Sequence, residues 1–246
     1  MQTEEIMRVI LIVLYLLVYF TLSLITLPLL FCLGKINPSA KDKISQVTVR
    51  NAFRTILFLA GTKITVRHKE NVPDEPVLFV GNHSSYFDII TTYSILNRQV
   101  GYVAKIEMEK TPLLSSWMRN IGCVFLNRQD VKEGLKAIIQ GASFIKEGRS
   151  MFIFPEGTRN HSKTLLPFKE GSTKMAEKAG CKIVPVAITN TDAIFENNKW
   201  YNKIRKASVT IEFGSPIEPK SLEKEQKKFL GAYVQSQIEA MLQARS

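Results

Sequence analysis

The chain has 246 residues, of which 45% are hydrophobic and 22% are charged, and these proportions exclude a disordered, collagen-like or porin-like protein. Lysine and arginine number 33 against 22 aspartate and glutamate residues, which gives a formal charge of +11. A surface of that sign attracts anionic lipid headgroups, phosphorylated metabolites or nucleic acid, and charge alone does not choose among them.

An apolar segment lies close to the N-terminus. From Val9 to Gly34 the chain contains no Asp, Glu, Lys or Arg. As a helix this segment would extend about 39 Å, more than the roughly 30 Å hydrocarbon layer of a bilayer, so it can span a membrane or bend and embed in it. We expect no cleaved secretory signal, because the chain starts with acidic residues and then stays apolar for too long.

A second helical stretch follows the apolar segment. Pro28, Gly34 and the pair Asn37-Pro38 predict a kink and then a break between the two stretches. From Lys41 to Ala60, apolar and basic residues share a segment that suits a helix at a membrane interface.

We therefore predict a membrane-embedded helical hairpin over residues 1–61. A single transmembrane helix followed by a core helix is the alternative, and the residues alone do not decide between them. The flanking charges favour a position of the rest of the chain on the cytoplasmic side. Glu4, Glu5 and Arg8 precede the apolar run, whereas the residues that follow it include Lys35, Lys41, Lys43, Arg50 and Arg54.

The rest of the chain predicts an α/β domain. From residue 62 onward, short β-branched or aromatic runs alternate with helical segments, which is typical of a mostly parallel central sheet flanked by helices. Strands are expected at Lys63–Arg67, Val77–Val80, Val100–Ala104, Cys123–Asn127, Met151–Phe154, Ile183–Ile188 and Ser208–Phe213. Helices are expected near residues 86–97, 112–120, 130–147, 171–180 and 221–243. No repeat or long linker divides residues 62–246, so we predict one domain there.

The cysteines and isolated histidines predict no metal site. Cys32, Cys123 and Cys181 lie far apart within apolar stretches, which favours buried thiols in a reducing compartment over disulfides or zinc binding. His68 and His161 have no Cys or His partner at ligand spacing and are interpreted as surface residues.

His83 and Asp88 are the first candidates for chemistry. They lie five positions apart at a strand-to-helix junction, and a straight helix would place their side chains about 140° apart. A turn that starts the helix, capped by Ser84 or Ser85, would fold the carboxylate back towards the imidazole. Such a histidine can act as a neutral base while the aspartate holds its tautomer. An ordinary local hydrogen bond is the alternative, and the pair alone does not decide.

Three further stretches follow predicted strands. Phe154 to Arg159 places a carboxylate, a glycine and a guanidinium in a turn that either forms an exposed ion pair or grips a phosphate. Gly122 to Arg128 is a strand that ends in arginine. Val184 to Ala187 contains Pro185, which indicates an edge strand or a wall packed against a ligand.

These four blocks, in this order, resemble the glycerolipid acyltransferase family, which includes 1-acylglycerol-3-phosphate acyltransferases. The stretch Asn82 to Asp88 matches the family's His-x-x-x-x-Asp block, and Phe154 to Arg159 matches its Phe-Pro-Glu-Gly-Thr-Arg block. Gly122 to Arg128 and Val184 to Val186 match the other two. The N-terminal hairpin is similar to the membrane-embedded two-helix anchor of bacterial relatives, which favours embedding over spanning.

The resemblance implies acyl transfer from a thioester to the sn-2 hydroxyl of a lysophosphatidic acid at the cytoplasmic membrane. His83 would be the base and Asp88 its partner, and no cofactor is implied beyond the donor substrate, acyl-CoA or an acyl-carrier protein. Glycerol-3-phosphate and zwitterionic lysophospholipids are alternative acceptors. The residues that would bind substrate, chiefly the acceptor phosphate, are Lys105, Arg128, Glu156, Gly157, Thr158 and Arg159.

Two other classes of protein fit less well. A serine hydrolase or thioesterase would carry a Gly-x-Ser-x-Gly elbow, which this sequence lacks. A membrane-tethered protein that binds nucleic acid would cluster its basic residues, whereas here they are dispersed among acidic ones, so no nucleic-acid partner is predicted.

Overall fold

The structure is a computed structural model that describes residues 2–127, 129–160, 162, 164–196 and 203–244. Within these residues the chain forms eight α-helices and seven β-strands. The helices are α1 (Gln2–Ile36), α2 (Pro38–Ala60), α3 (Phe87–Ile95), α4 (Leu114–Asn120), α5 (Val131–Lys146), α6 (Lys174–Ala179), α7 (Lys224–Lys228) and α8 (Leu230–Gln243). The strands are β1 (Lys63–Arg67), β2 (Leu78–Gly81), β3 (Val100–Lys105), β4 (Val124–Leu126), β5 (Ser150–Ile153), β6 (Ile183–Thr189) and β7 (Ser208–Phe213).

The strands form one mostly parallel sheet in the order β1-β7-β6-β2-β5-β3-β4. Each neighbouring pair is parallel except β6 and β7, which are antiparallel. The predicted fold class is therefore confirmed, and the strand ends differ from the predicted ones by at most one residue. The predicted C-terminal helix is divided at Phe229, whose backbone angles are not helical.

Alternate residues of the central strands supply two cores, one on each face of the sheet. Phe79 and Phe152 point to the face covered by α2, α3 and α4. Leu78, Val80 and Met151 point to the opposite face, where α5, α6 and α8 pack. Because successive side chains of a strand alternate between faces, strands buried on both sides are apolar throughout.

The junction between α1 and α2 has the predicted break. Helix α1 continues through Pro28 to Ile36, and α2 then starts with Pro38 in its first turn, where a missing N–H costs least. Asn37 Oδ1 accepts a hydrogen bond from the Ala40 N–H at 3.0 Å and so caps α2. Gly61 ends α2 with φ of +70°, a left-handed conformation that favours glycine.

Helix α1 contacts the domain near its start and in its middle. Near its start, a carboxylate oxygen of Glu5 lies 3.2 Å from Nε of Arg205. In its middle, Nε1 of Trp117 donates to Oγ of Ser23 at 2.9 Å, and near its end Leu30 is buried. Most of its other apolar side chains face outward, and in an apolar stretch of 18 residues only 11% of the residues are buried. Length and composition make α1 a candidate membrane helix, which by itself is weak support for membrane association.

Helix α2 packs on the α/β domain through polar as well as apolar contacts. Nη1 of Arg50 donates to Oδ1 of Asn97 at 2.7 Å, and Nε of Arg54 donates to the Ser94 carbonyl at 3.1 Å. Val49 is one of its buried residues. The division into an anchor over residues 1–61 and a domain over 62–246 stays a prediction, and these contacts join α2 to the domain.

Pro185 does not mark a sheet edge, which excludes the first of its two interpretations and leaves the wall packed against a ligand as a prediction. Strand β6 lies inside the sheet, between β7 and β2. Around the proline, Ile183 pairs with Ile217 and Val186 pairs with Phe213. The neighbouring segment therefore has one extra residue between these two pairs, as in a β-bulge. A residue without an N–H fits at such an interruption of the ladder.

The cysteines differ in burial. Cys123 and Cys181 are buried, and burial raises the pKa of the Cys123 thiol to about 12 and that of Cys181 to about 11. Cys32 is exposed on α1, so the expectation of a buried thiol is wrong there. An apolar stretch predicted burial, but α1 turns most of its apolar side chains away from the domain.

Candidate active site

The loop after β2 begins with a residue that fixes it to the neighbouring strand. Nδ2 of Asn82 donates to the Ile188 carbonyl at 2.8 Å, and Oδ1 of Asn82 accepts from the Ile188 N–H at 2.8 Å. The side-chain amide thus continues the pairing of β2 with β6 beyond the last strand residue. His83 follows directly and starts from a fixed backbone.

The predicted contact between His83 and Asp88 is confirmed. Nδ1 of His83 lies 2.8 Å from Oδ2 of Asp88, which is the second residue of α3. Asp88 is fully buried. Its Oδ2 also accepts from the N–H groups of Ser84 and Ser85 at 2.7 and 2.8 Å, and its Oδ1 accepts from the Thr191 hydroxyl. The turn before α3 therefore brings together two side chains that a straight helix would separate.

These contacts determine which nitrogen of His83 carries the proton. An ionised carboxylate accepts hydrogen bonds and donates none, so Nδ1 is the donor to Asp88. In the neutral ring, Nε2 then holds the free lone pair. A histidine oriented in this way can accept a proton from a substrate hydroxyl.

Aromatic rings pack against the imidazole. The His83 ring stacks on Phe154 with centroids 4.2 Å apart and planes inclined by 17°. Phe154 packs on Phe152 at 4.9 Å, and Phe152 stacks on Tyr102 at 5.1 Å. Burial raises the pKa of the Tyr102 phenol well above its usual value, so this ring stays neutral. The stack closes one face of the imidazole, and the His83 side chain remains 14% exposed.

Both carboxylate oxygens of Glu156 are occupied by donors of the protein. Oε1 accepts from the His83 N–H at 2.8 Å, and Oε2 accepts from Asn160 Nδ2 at 2.9 Å and from the Leu166 N–H at 3.0 Å. The Asn160 N–H in turn donates to the His83 carbonyl at 2.7 Å. Glu156 is buried, and it joins the loop after β2 to the loop after β5. Its predicted role in acceptor binding stays a prediction, and these contacts add a positioning role.

Gly157, which is half-buried, and Thr158 lie in the turn after β5. Gly157 has φ of +74°, and a β-carbon there would lie 3.1 Å from Nζ of Lys169. The left-handed conformation therefore favours glycine, and the end of the flexible Lys169 side chain fills the space beside it. Thr158 is exposed beside it.

Arg159 is held by an aromatic ring and a carboxylate. Its guanidinium carbon lies 3.8 Å from the ring centroid of Tyr86, and its Nη1 lies 3.4 Å from Oε1 of Glu196. Glu196 also accepts from the Ser85 hydroxyl at 2.6 Å and from the Tyr86 N–H at 2.8 Å. One carboxylate, whose side chain is 5% exposed, thus contacts both the start of α3 and the predicted phosphate ligand.

Two predicted site residues, Lys105 and Arg128, are not among the contacts described above. Lys105 is the exposed last residue of β3, at the same edge of the sheet as the carboxyl ends of β2 and β5. Arg128 lies outside the described residues, and the strand before it, β4, ends at Leu126. The structure thus brings His83, Asp88, Glu156 and Arg159 into one connected site, while the predicted roles of all these residues stay predictions.

Sequence reasoning missed three residues of this site: Asn160, Thr191 and Glu196. Thr191 had a usable signal, because it follows a predicted strand and the carboxyl ends of parallel strands meet at one edge of a sheet. Asn160 follows directly after a matched block. Glu196 lies in a stretch without a motif, and nothing in the sequence singled it out.

We expect Glu156→Gln to loosen the His83 loop. Glutamine would place an NH2 group against at least one N–H donor, so the buried network would lose a hydrogen bond at a cost of about 1–3 kcal/mol in the free energy of unfolding. Denaturant unfolding would measure that loss, and amide hydrogen exchange at His83 or Leu166 would become faster.

The matched control is Glu133→Gln. Glu133 lies on the surface of α5 with its carboxylate 2.7 Å from Nζ of Lys136, and exposed pairs of this kind contribute about 0–1 kcal/mol. Equal effects of the two substitutions would show that Glu156 does not hold the loop.

Comparisons with known proteins identify the family of this chain. A family model described as acyltransferase matches residues 63–189. A 1-acyl-sn-glycerol-3-phosphate acyltransferase of Borreliella burgdorferi is 33% identical over 198 residues, which cover 80% of this chain and 78% of that protein. A probable 1-acyl-sn-glycerol-3-phosphate acyltransferase of Mycoplasma pneumoniae is 30% identical over 187 residues, 71% of this chain and 70% of that one.

A solved structure shares the whole fold. The crystal structure of the 1-acyl-sn-glycerophosphate acyltransferase PlsC from Thermotoga maritima has a TM-score of 0.79 and covers 98% of this chain and 97% of its own, at 21% identity. The family match spans just over half of the chain and includes His83, Asp88 and the stretch Phe154 to Arg159. This chain therefore belongs to the acyltransferase family.

Proposed function

We propose that this protein transfers a fatty acyl group from a thioester to the sn-2 hydroxyl of 1-acyl-glycerol-3-phosphate, which gives phosphatidic acid. The observation that carries the proposal is the contact between His83 and Asp88, because it leaves Nε2 of His83 free to act as a base. The similar protein of Borreliella burgdorferi is named a 1-acyl-sn-glycerol-3-phosphate acyltransferase and that of Mycoplasma pneumoniae a probable one, and these names support the acceptor.

In the proposed reaction, Nε2 of His83 accepts the hydroxyl proton while the acceptor oxygen bonds to the thioester carbonyl carbon. The tetrahedral oxyanion then collapses, the carbon–sulfur bond breaks, and the leaving thiolate takes the proton from His83. Asp88 stays ionised and stabilises the imidazolium between these steps. Because a thiol has a pKa of about 8.5, the thiolate leaves readily and a single base suffices for the reaction.

The acceptor phosphate is proposed to bind beside Arg159. A guanidinium presents several N–H donors in a planar fork, so the contact with Glu196 leaves others for phosphate oxygens. Gly157 and Thr158, in the same turn, are proposed to approach the acceptor as well. Lys105 and Arg128 are proposed as further cations of this subsite, in line with the family resemblance.

The donor is proposed to be acyl-CoA or an acyl-carrier protein. Both are anionic, and the formal charge of +11 favours either one. The assay described below compares the two.

Helix α1 is proposed to lie embedded in one leaflet. It contacts the domain at Glu5 and at Ser23, which lie about 27 Å apart along the helix, and this distance is most of the roughly 30 Å hydrocarbon layer. If α1 crossed the bilayer, the domain packed along it would have to enter the hydrocarbon. We place the protein at the cytoplasmic membrane with the α/β domain facing the cytoplasm, in line with the basic residues that follow the apolar run.

His83→Ala should lower acyl transfer by at least about 100-fold, the usual contribution of a general base. Thiol release from palmitoyl-CoA by the detergent-purified protein measures it, with lysophosphatidic acid as acceptor. The control is His68→Ala, since His68 is an exposed histidine with Nδ1 3.3 Å from a Glu70 carboxylate oxygen and should keep full activity.

The outcomes of this assay differ in meaning. Full activity in a folded His83→Ala variant would overturn the assignment of the base. Wild-type activity with glycerol-3-phosphate or lysophosphatidylcholine instead would change the acceptor. If no thiol is released from palmitoyl-CoA, the same assay is made with a palmitoyl-carrier protein. The absence of thiol release from both donors would overturn the proposed function.

Arg159→Ala should raise KM for lysophosphatidic acid and leave KM for the acyl thioester within about twofold. Loss of a charge-assisted hydrogen bond costs about 1.5–3 kcal/mol, which corresponds to roughly 10–150-fold in kcat/KM. Arg67→Ala, at an exposed position of edge strand β1, is the control. A rise confined to the KM of the thioester would move Arg159 to the donor site.

The double variant Leu17→Glu/Ile25→Glu should lose membrane binding. Both side chains are exposed on α1, at 60% and 64%, and a charge within the hydrocarbon costs about 2.5–3.5 kcal/mol. Sedimentation with phospholipid vesicles should therefore fall by at least about tenfold. Leu135→Glu/Ile139→Glu is the control, because these α5 residues are exposed to 51% and 50%. Equal sedimentation of both variants would exclude α1 as the embedded element.

A further inference from the structure

Thr191 is a buried residue that contacts the proposed base through its partner. It lies two residues after β6 and 103 residues after Asp88 in sequence, and it is fully buried. Its Oγ1 donates a hydrogen bond to Oδ1 of Asp88. We propose that Thr191 is a positioning residue for the acyl transfer, which acts on His83 through Asp88; this inference rests on the proposed function.

The donor and acceptor of each contact can be assigned. A carboxylate only accepts hydrogen bonds, so the single hydrogen of the Thr191 hydroxyl is used in the contact with Asp88. Oγ of Ser84 lies 3.1 Å from Oγ1 of Thr191, and Ser84 must therefore be the donor there. The resulting chain runs from Ser84 to Thr191 to Asp88, and His83 donates to Asp88 from the other side.

The two oxygens of Asp88 are held unequally. Oδ2 accepts from His83 Nδ1 and from two backbone N–H groups. In the part of the chain that the structure describes, Thr191 is the side chain that holds Oδ1. Removing its hydroxyl would leave a buried carboxylate oxygen without a donor, which favours rotation of the carboxylate away from the geometry that His83 needs.

This role predicts an effect on the chemical step rather than on binding. Thr191 donates to Asp88, so its loss should lower kcat and leave both KM values nearly unchanged. A purely structural role would instead lower the free energy of unfolding without a selective loss of kcat.

The test compares Thr191→Val with Thr191→Ser in the thiol-release assay. Valine keeps the volume and removes the hydroxyl, whereas serine keeps the hydroxyl. Loss of a hydrogen bond to a charged group should lower kcat about 10–100-fold in the valine variant, with KM for both substrates within about twofold. The serine variant should keep kcat within about threefold of the wild type.

Two controls separate positioning from stability. Thr173→Val removes another buried hydroxyl, which donates to the Glu170 carbonyl at 3.0 Å, and it should keep kcat. In a protein that already carries Asp88→Ala, Thr191→Val should lower kcat by less than about a further twofold, because Thr191 acts through Asp88. An unchanged kcat in Thr191→Val would overturn the proposal, and so would equal losses of kcat in the serine and valine variants. It would also be overturned if Thr191→Val lowered kcat in the Asp88→Ala variant as much as it does in the wild type.

A measurement without substrate keeps this inference distinguishable from the proposed function. The proton on Nδ1 of His83 gives a downfield NMR signal when it is shared with Asp88, and His83→Ala identifies it among the three histidines. We expect this signal to move upfield in Thr191→Val and to stay in Thr191→Ser, whether or not any acceptor is turned over. An unchanged signal in the valine variant would overturn the role of Thr191.

Discussion

A fully buried carboxylate determines the arrangement of the candidate active site. Asp88 has no exposed surface, and a buried charge is tolerated where hydrogen-bond donors of the protein replace water. Its donors are the imidazole of His83, two backbone N–H groups of the following turn and the hydroxyl of Thr191. Satisfying Asp88 therefore fixes the loop after β2, the start of α3 and the segment after β6 together, and the orientation of His83 follows from all three.

The sheet order explains why residues far apart in sequence meet here. Strand β2 lies between β6 and β5, and parallel strands end at the same edge of a sheet. His83 follows β2, Glu156 follows β5 and Thr191 follows β6, so each loop contributes from a rigid strand. Asn82 then joins β2 to β6, and Glu156 joins the β2 loop to the β5 loop.

The sequence predicted the strands and the contact between His83 and Asp88 because both depend on local patterns. β-Branched runs bounded by turn residues mark strands, and the five-residue spacing at a strand-to-helix junction requires a turn. The roles of Glu156 and Thr191 depend on tertiary contacts instead. The Glu156 carboxylate, which lies in a turn, could equally bind a ligand or backbone N–H groups. The interruption of the ladder at Pro185 likewise arises from a neighbouring segment that the local sequence does not show.

The order of synthesis gives the loop contacts a further consequence. His83 and Asp88 emerge from the ribosome close together, but β2 pairs with β5 and β6, which both follow later in the chain. Glu156 and Thr191 also emerge later. A nascent chain therefore carries His83 and Asp88 before it has the sheet, the Glu156 carboxylate that accepts from the His83 N–H and the Thr191 hydroxyl that donates to Asp88. If His83 is the base, as proposed, the site would become competent only late in folding, and unfinished chains would lack an oriented base that could hydrolyse the donor without transferring its acyl group.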